Sequence, residues 1–299
     1  MFLINTRKRS PDGAFGHERT ARGAYAVYEF TQKSGGKEVE EKTLQDVPTD
    51  KDALVLVHGF NNDFIRVTGA YLEFEKAALK AGFAGSVVGF TWPSYGKWFQ
   101  YFGDRAQVEY AAFGFLNFLL DYRPLLGARK CHLNAHSMGA YLVIRALAAY
   151  ALIDAIPESA PGGALLGEIT LFAADVDGNT LEKDQEGSHA AAEAARLTSY
   201  FSGHDQVLAI ADVANAGPRL GLEGAAHPAR MPKNACQIDC TTLVFDHAGY
   251  RADPGVMQDL AAVLGGAPSD QIAGRRKENA KNTFAIGPEE DEEEDGPGE

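Results

Sequence analysis

The chain has 299 residues, 45% of them hydrophobic, which is enough to bury a substantial core within a single domain. Its formal net charge of −13 argues against a nucleic-acid polyanion as main partner, and no run approaches the roughly 20 apolar residues that cross a bilayer. Three cysteines, Cys131, Cys236 and Cys240, lack the close, even pairing of a disulfide framework and the two-residue spacing of zinc or redox pairs, so free thiols in a reducing cytoplasm are expected.

Met1 to Arg9 lacks the charged-then-apolar order of a secretion signal, in keeping with a cytoplasmic location. Phe2–Arg7 and Ala24–Thr31 read as edge strands around a Gly-rich turn, and Lys33–Asp52 as a polar connection. Residues 1–52 are expected to belong to the same domain as the core, which spans 53–268. There, short apolar, β-branched runs alternate with longer amphipathic ones. That pattern predicts an α/β fold, a mostly parallel central sheet flanked by helices on both faces. The strand candidates are Ala53–Val57, Ser86–Phe90, Lys130–Ala135, Glu168–Ala173, Leu197–Ser202 and Ala235–Thr241. Helical spacing joins Phe64, Val67, Tyr71, Phe74 and Ala78, with Asn62-Asp63 as cap and Gly82 as stop; Val108, Ala111, Phe115 and Leu119 form a second helix ahead of Pro124. Ser269–Ile286 is polar and reads as a flexible linker in which Arg275-Arg276-Lys277 pairs loosely with the acidic block from Gly287 onward. That block should be a disordered, solubilising tail, completing a 269–299 segment of linker and tail.

Cys131-His-Leu-Asn-Ala-His-Ser-Met-Gly139 carries most of the chemical information: an apolar strand passes through a tight turn into a strong helix former. A serine nucleophile needs this setting, because the turn lifts its hydroxyl out of the sheet while small neighbours avoid collision with strand and helix. Ser137 fits, flanked by Ala135 and Gly139, with Ala in the first position of the usual Gly-x-Ser-x-Gly. The bland alternative is a serine capping a helix; the strand, turn and helix in the required places favour the nucleophile. Backbone donors for an oxyanion would be the N–H of Met138 and, from the loop after Leu54-Val-Leu-Val-His58-Gly-Phe-Asn-Asn62, the N–H of Phe60. His58 is expected to brace that loop.

The base should follow the last strand, where Asp246-His247 stands, and the acid should end an earlier strand. Asp205 is favoured as acid, with Asp175 as the alternative, while Asp246 reads as a turn residue. His204 precedes the final strand and reads as a loop histidine; His132 and His136 are expected to face the core rather than bind metal.

Taken together, His58-Gly-Phe-Asn-Asn62, Phe90-Thr-Trp-Pro-Ser94, Ala135-His-Ser-Met-Gly139, Phe172-Ala-Ala-Asp-Val-Asp177 and Tyr200-Phe-Ser-Gly-His-Asp205 resemble a mainly bacterial α/β-hydrolase family of unknown function. The likeness runs from about Phe2 to Leu264 and includes Asn5-Thr-Arg7. It implies an α/β-hydrolase fold with Ser137 as nucleophile, Asp205 as acid and His247 as base. His247-Ala-Gly-Tyr250 departs slightly from the compact His-small-Tyr expected at that place.

The expected function is therefore a serine hydrolase acting on a small-molecule ester of short or medium chain, with no cofactor and no metal. A catalytically silent α/β-hydrolase fold serving as a binding or scaffold protein is the alternative. Nucleotide binding lacks both a phosphate-loop motif and a Gly-x-Gly-x-x-Gly turn. The aromatic residues Trp92, Tyr95, Trp98, Phe99, Tyr101 and Phe102 could line an acyl pocket, although packing of a crossing segment is favoured.

Overall fold

Ala53–Val57 has no polar position, and such a segment is stable only as a strand covered on both faces. The computed structural model describes residues 1–33, 36–94, 101–154, 165–215 and 217–288. Within them the strands are β1 (Phe2–Asn5), β2 (Arg7–Arg9), β3 (Phe15–Arg19), β4 (Ala26–Lys33), β5 (Gly36–Lys42), β6 (Ala53–Val57), β7 (Ser86–Thr91), β8 (Cys131–His136), β9 (Leu166–Phe172), β10 (Ala194–Phe201), β11 (Ala235–Asp239), β12 (Arg275–Lys277) and β13 (Thr283–Ile286). The helices are α1 (Phe64–Lys80), α2 (Tyr101–Leu125), α3 (Met138–Asp154), α4 (Glu186–Ala192), α5 (Gln206–Asn215), α6 (Leu220–Glu223) and α7 (Pro254–Leu264).

Eleven strands form one sheet in the order β12-β13-β11-β10-β9-β8-β6-β7-β1-β4-β5, and β2 and β3 form a separate hairpin. Pairing is parallel from β13 through to β1 and antiparallel at β12, β4 and β5. Side-chain alternation divides each central strand between two cores. Val55, Val57, Leu133 and Ala135 meet α2 and α3, while Leu54, Leu56 and Phe172 meet α1 and α7. Asp63 caps α1 by accepting the Arg66 N–H at 2.8 Å, and the chain leaves that helix through Gly82 at φ +107°.

The six central strand candidates all form, with ends shifted by at most three residues. Three expectations at the periphery are corrected. β1 and β4 are interior strands, because Lys33–Asp52 is not merely a connection but contributes β5, the true edge. In Gly36–Lys42 all but Gly36 and Val39 are charged, which suits an edge that must not recruit another chain. Ser269–Ile286 is not a linker: β13 pairs in parallel with β11, and β12 closes the sheet. Of the basic triplet, Arg276 meets the start of the acidic block by donating to the Gly287 and Pro288 carbonyls, whereas Arg275 turns inward. It forms a buried bidentate ion pair with Asp259 at 2.6 and 2.8 Å, and Asp259 also accepts the Tyr200 hydroxyl at 2.6 Å. The acidic tail beyond residue 288 lies outside the described residues.

Removing one partner of such a pair leaves the other charge buried and uncompensated. Asp259→Ala is expected to lower the unfolding free energy in urea by about 3–5 kcal/mol.

Candidate active site

The carboxyl ends of neighbouring parallel strands are where an open α/β sheet gathers loops that share a site. Ser137 follows β8, Asp205 follows β10 and His247 comes from the loop after β11. Ser137 has φ 56°, a left-handed backbone that a residue with a side chain adopts only under constraint. The constraint is visible on both sides of it. Its N–H donates to the Phe172 carbonyl at 2.9 Å, and its own carbonyl accepts the N–H groups of Ala140 at 2.9 Å and Asp175 at 3.2 Å. The small neighbours are required: a Cβ on Gly139 would lie 2.5 Å from the carbonyl oxygens of Val57 and His58, and one on Gly59 would lie 2.6 Å from Ser137 Cβ. The α3 helix starts immediately afterwards at Met138, so its positive end points toward the turn.

His247 Nδ1–H donates to Asp205 Oδ2 at 2.7 Å. The other oxygen of Asp205 accepts the Leu208 N–H at 3.0 Å, so the carboxylate is fixed by the start of α5. Asp205 is buried, and the hydrogen bond leaves the lone pair of His247 on Nε2. Asp175 is engaged elsewhere: it accepts the Tyr101 hydroxyl at 2.8 Å and lies 3.6 Å from the buried guanidinium of Arg219. The fold thus brings Asp205, not Asp175, to His247. Among the described residues no hydrogen bond joins Ser137 Oγ to the imidazole, and none engages the N–H groups of Phe60 or Met138. Asp246 accepts the Ala248 N–H at 2.8 Å as a turn residue, and His204 stacks on the exposed Phe245 at 5.1 Å.

The loop bearing Phe60 is held at several points. His58 Nδ1–H donates to the Gly59 carbonyl at 2.7 Å, while its Nε2 accepts the Trp92 N–H at 3.1 Å. Trp92 stacks on the same ring at 5.1 Å and donates its indole N–H to the His58 carbonyl. Burial, reinforced by the nearby Arg7 guanidinium, pushes the His58 imidazole well below its ordinary value, so it stays neutral and serves as a brace. Trp92 therefore has a packing role; Tyr95, Trp98 and Phe99 lie outside the described residues, and so does the Phe102 side chain. Two further supports come from outside the loop. Arg7 donates to the Asn62 carbonyl at 2.7 Å, and the Tyr71 hydroxyl accepts the His58 N–H at 2.8 Å.

His132 is buried and accepts the Glu168 N–H at 3.0 Å, as a core histidine should. His136 corrects the expectation. It sits beside His247, ring centroids 4.7 Å apart, and its Nε2–H donates to the His247 carbonyl at 2.7 Å. Burial, followed by the neighbouring His247, pushes the His136 imidazole down to about 3, so it remains a neutral donor. Asp205 thus fixes the ring of His247 and His136 its main chain. His136→Phe keeps a ring but removes the donor, and is expected to slow modification of Ser137 by a fluorophosphonate about tenfold, the size of one lost hydrogen bond. His136→Gln, which restores an N–H, should recover most of the rate; stopped-flow labelling checks both.

The family described as alpha/beta hydrolase of unknown function (DUF900) matches residues 36–253. No curated protein matches the sequence. Among solved structures, Est1E from Butyrivibrio proteoclasticus is similar over 82% of this chain and 99% of that chain, at 11% identity and a TM-score of 0.44. Carboxylesterase CesB from Bacillus subtilis is similar over 81% and 93%, at 12% identity and a TM-score of 0.36. A 2,6-dihydroxy-pseudo-oxynicotine hydrolase is similar over 80% and 67%, at 14% identity and a TM-score of 0.41.

Proposed function

The chain belongs to this α/β-hydrolase family of unknown function, and from that premise we propose that it is a serine hydrolase that cleaves a carboxylic ester of a small molecule through an acyl-enzyme on Ser137. The observation that carries the reading is the 2.7 Å hydrogen bond from His247 Nδ1–H to the buried Asp205, in a chain whose Ser137 occupies a left-handed strand-to-helix turn. That bond selects the tautomer in which Nε2 can receive a proton. His247 Nε2 takes the Ser137 proton as Oγ attacks the ester carbonyl carbon. The N–H groups of Met138 and Phe60 receive the negative charge on the carbonyl oxygen. Collapse of this intermediate expels the alcohol, which takes its proton from His247. Water then repeats the sequence on the acyl-enzyme and releases the acid. The Ser137–His247 contact closes in the substrate complex, since catalytic hydrogen bonds often tighten only there.

A catalytically silent binding protein is the second reading, and what favours it is the absence, among the described residues, of a hydrogen bond between Ser137 Oγ and the imidazole. Fluorophosphonate labelling separates the two. A single adduct by intact mass on the wild-type chain, absent from Ser137→Ala, is the result expected of the hydrolase. Folded wild-type protein that takes no label would overturn that reading in favour of the binding protein.

A further inference from the structure

A cavity of about 530 Å³ opens between α1, the loop after β6 and the loop that carries His247. Gly59 and Phe60 border it on one side, and His136 and His247 on another, so one end of the cavity abuts the place where Ser137 would react. Its wall includes Leu56, Tyr71, Phe74 and Phe172, all buried and belonging to one apolar cluster. Two polar side chains of this wall are already engaged, while Asn61 Oδ1 and the Tyr250 hydroxyl, which also border it, are buried without a hydrogen-bond partner among the described residues. The Tyr71 hydroxyl donates to the Phe90 carbonyl and accepts the His58 N–H, and the Asn134 amide donates to Thr170 Oγ1 at 3.0 Å. Charge is confined to the rim, where Arg251 and Glu73 pair with each other at 3.3 Å and Arg66 is exposed. Ile65 and Val207, 55% and 42% exposed, add apolar surface that also lines the cavity. A volume in this range is typical of small-molecule sites.

The α1 wall carries a second indication. Gly69 stands in the middle of a 17-residue helix, where glycine is less favourable than alanine by about 1 kcal/mol. It lines the cavity, and a Cβ built on it meets nothing within 4 Å. Ala70 beside it is also small and also lines the space. Larger side chains at these two positions would narrow the cavity along α1.

Resting on the serine-hydrolase reading, we infer that this cavity is a substrate pocket that receives one uncharged, apolar arm of the ester, a chain of up to about eight carbons running along roughly 10 Å of α1. The arm is either the acyl chain or the alcohol chain, which share the same chemistry. Gly69 sets the accepted length by leaving the wall open.

Two ester series distinguish the arms: nitrophenyl esters from acetate to octanoate, and acetates of alcohols from ethanol to octanol. In the wild-type protein kcat/KM should rise about three- to fourfold per added methylene in one series, the worth of a buried methylene, and stay flat in the other. Gly69→Leu should flatten that rise, lowering the eight-carbon to two-carbon ratio at least tenfold. Leucine favours helix, so the variant should unfold no earlier than wild type; Ala70→Leu repeats the test from the neighbouring position. Unchanged length dependence in both variants would overturn the pocket. A readout free of catalysis runs in parallel, titrating octanol and octanoate into Ser137→Ala with and without Gly69→Leu. Tenfold weaker binding with Gly69→Leu supports the pocket even if the wild-type serine takes no label, in which case only the hydrolase reading falls. Equal binding, or no binding, together with an absent length dependence, counts against the pocket itself.

Discussion

Asp205→Asn is expected to lower ester hydrolysis and fluorophosphonate labelling about ten-thousand-fold while leaving the protein folded. Amidation of the orienting carboxylate has an effect of that size in serine proteases, where it turns the histidine into the wrong tautomer. The same chemistry follows from the geometry here. Asp205 Oδ1 accepts from the Leu208 N–H and Oδ2 from His247 Nδ1–H. Asparagine is as good a helix cap as aspartate, so its carbonyl oxygen can keep the bond to Leu208 and α5 stays anchored. Its NH₂ group then faces His247 Nδ1 and can only donate, which moves the imidazole proton to Nε2. A base whose Nε2 already carries a proton cannot take one from Ser137. Rates, circular dichroism and thermal unfolding of the variant test this together; a loss below tenfold with the fold intact would remove Asp205 from the mechanism.

Gly59→Ala is expected to lower the labelling rate of Ser137 a hundredfold or more, the effect of losing one oxyanion donor. The added methyl would lie 2.6 Å from Ser137 Cβ and 3.0 Å from the His136 carbonyl oxygen, so the loop after β6 and the turn after β8 must move apart. The N–H of Phe60, the next residue, moves with the loop. Gly103→Ala in α2 is the control, since a Cβ there meets nothing within 4 Å and the substitution favours helix. Equal labelling of the two variants would mean that the Phe60 loop takes no part in the reaction.

What could be read in the sequence was whatever depends on neighbours in the chain. The five apolar positions of Ala53–Val57 permit only a doubly covered strand, and strand, small residue, serine, small residue and helix occur in one short stretch around Ser137. Asp175 and Asp205 are not separable by sequence, because both end strands of the same sheet; what separates them is which carboxylate Tyr101 and Arg219 occupy, a matter of tertiary contact. His136 reads as a core residue because it lies, like His132, on a parallel strand covered by helices. At the carboxyl end of β8, however, the partner on that face is no longer a helix but the His247 loop. The last two strands are illegible in the sequence for a different reason. Only Thr283–Ile286 is apolar, and the charge of Arg275 becomes compatible with burial through Asp259 and Tyr200, which are distant in sequence.

β13 also has a bearing on how the chain is made. Ser137, Asp205 and His247 all precede it by at least 36 residues, and the family match ends at residue 253, yet β11 has no other neighbour on that side. While the nascent chain stops short of residue 283, β11 presents an unpaired parallel edge and, until Arg275 arrives, the Asp259 carboxylate lacks its cation. Open edges of that kind template aggregation. A recombinant fragment trimmed to 1–268 would retain every residue proposed for catalysis and still be expected to accumulate in inclusion bodies to a greater extent than the 299-residue chain.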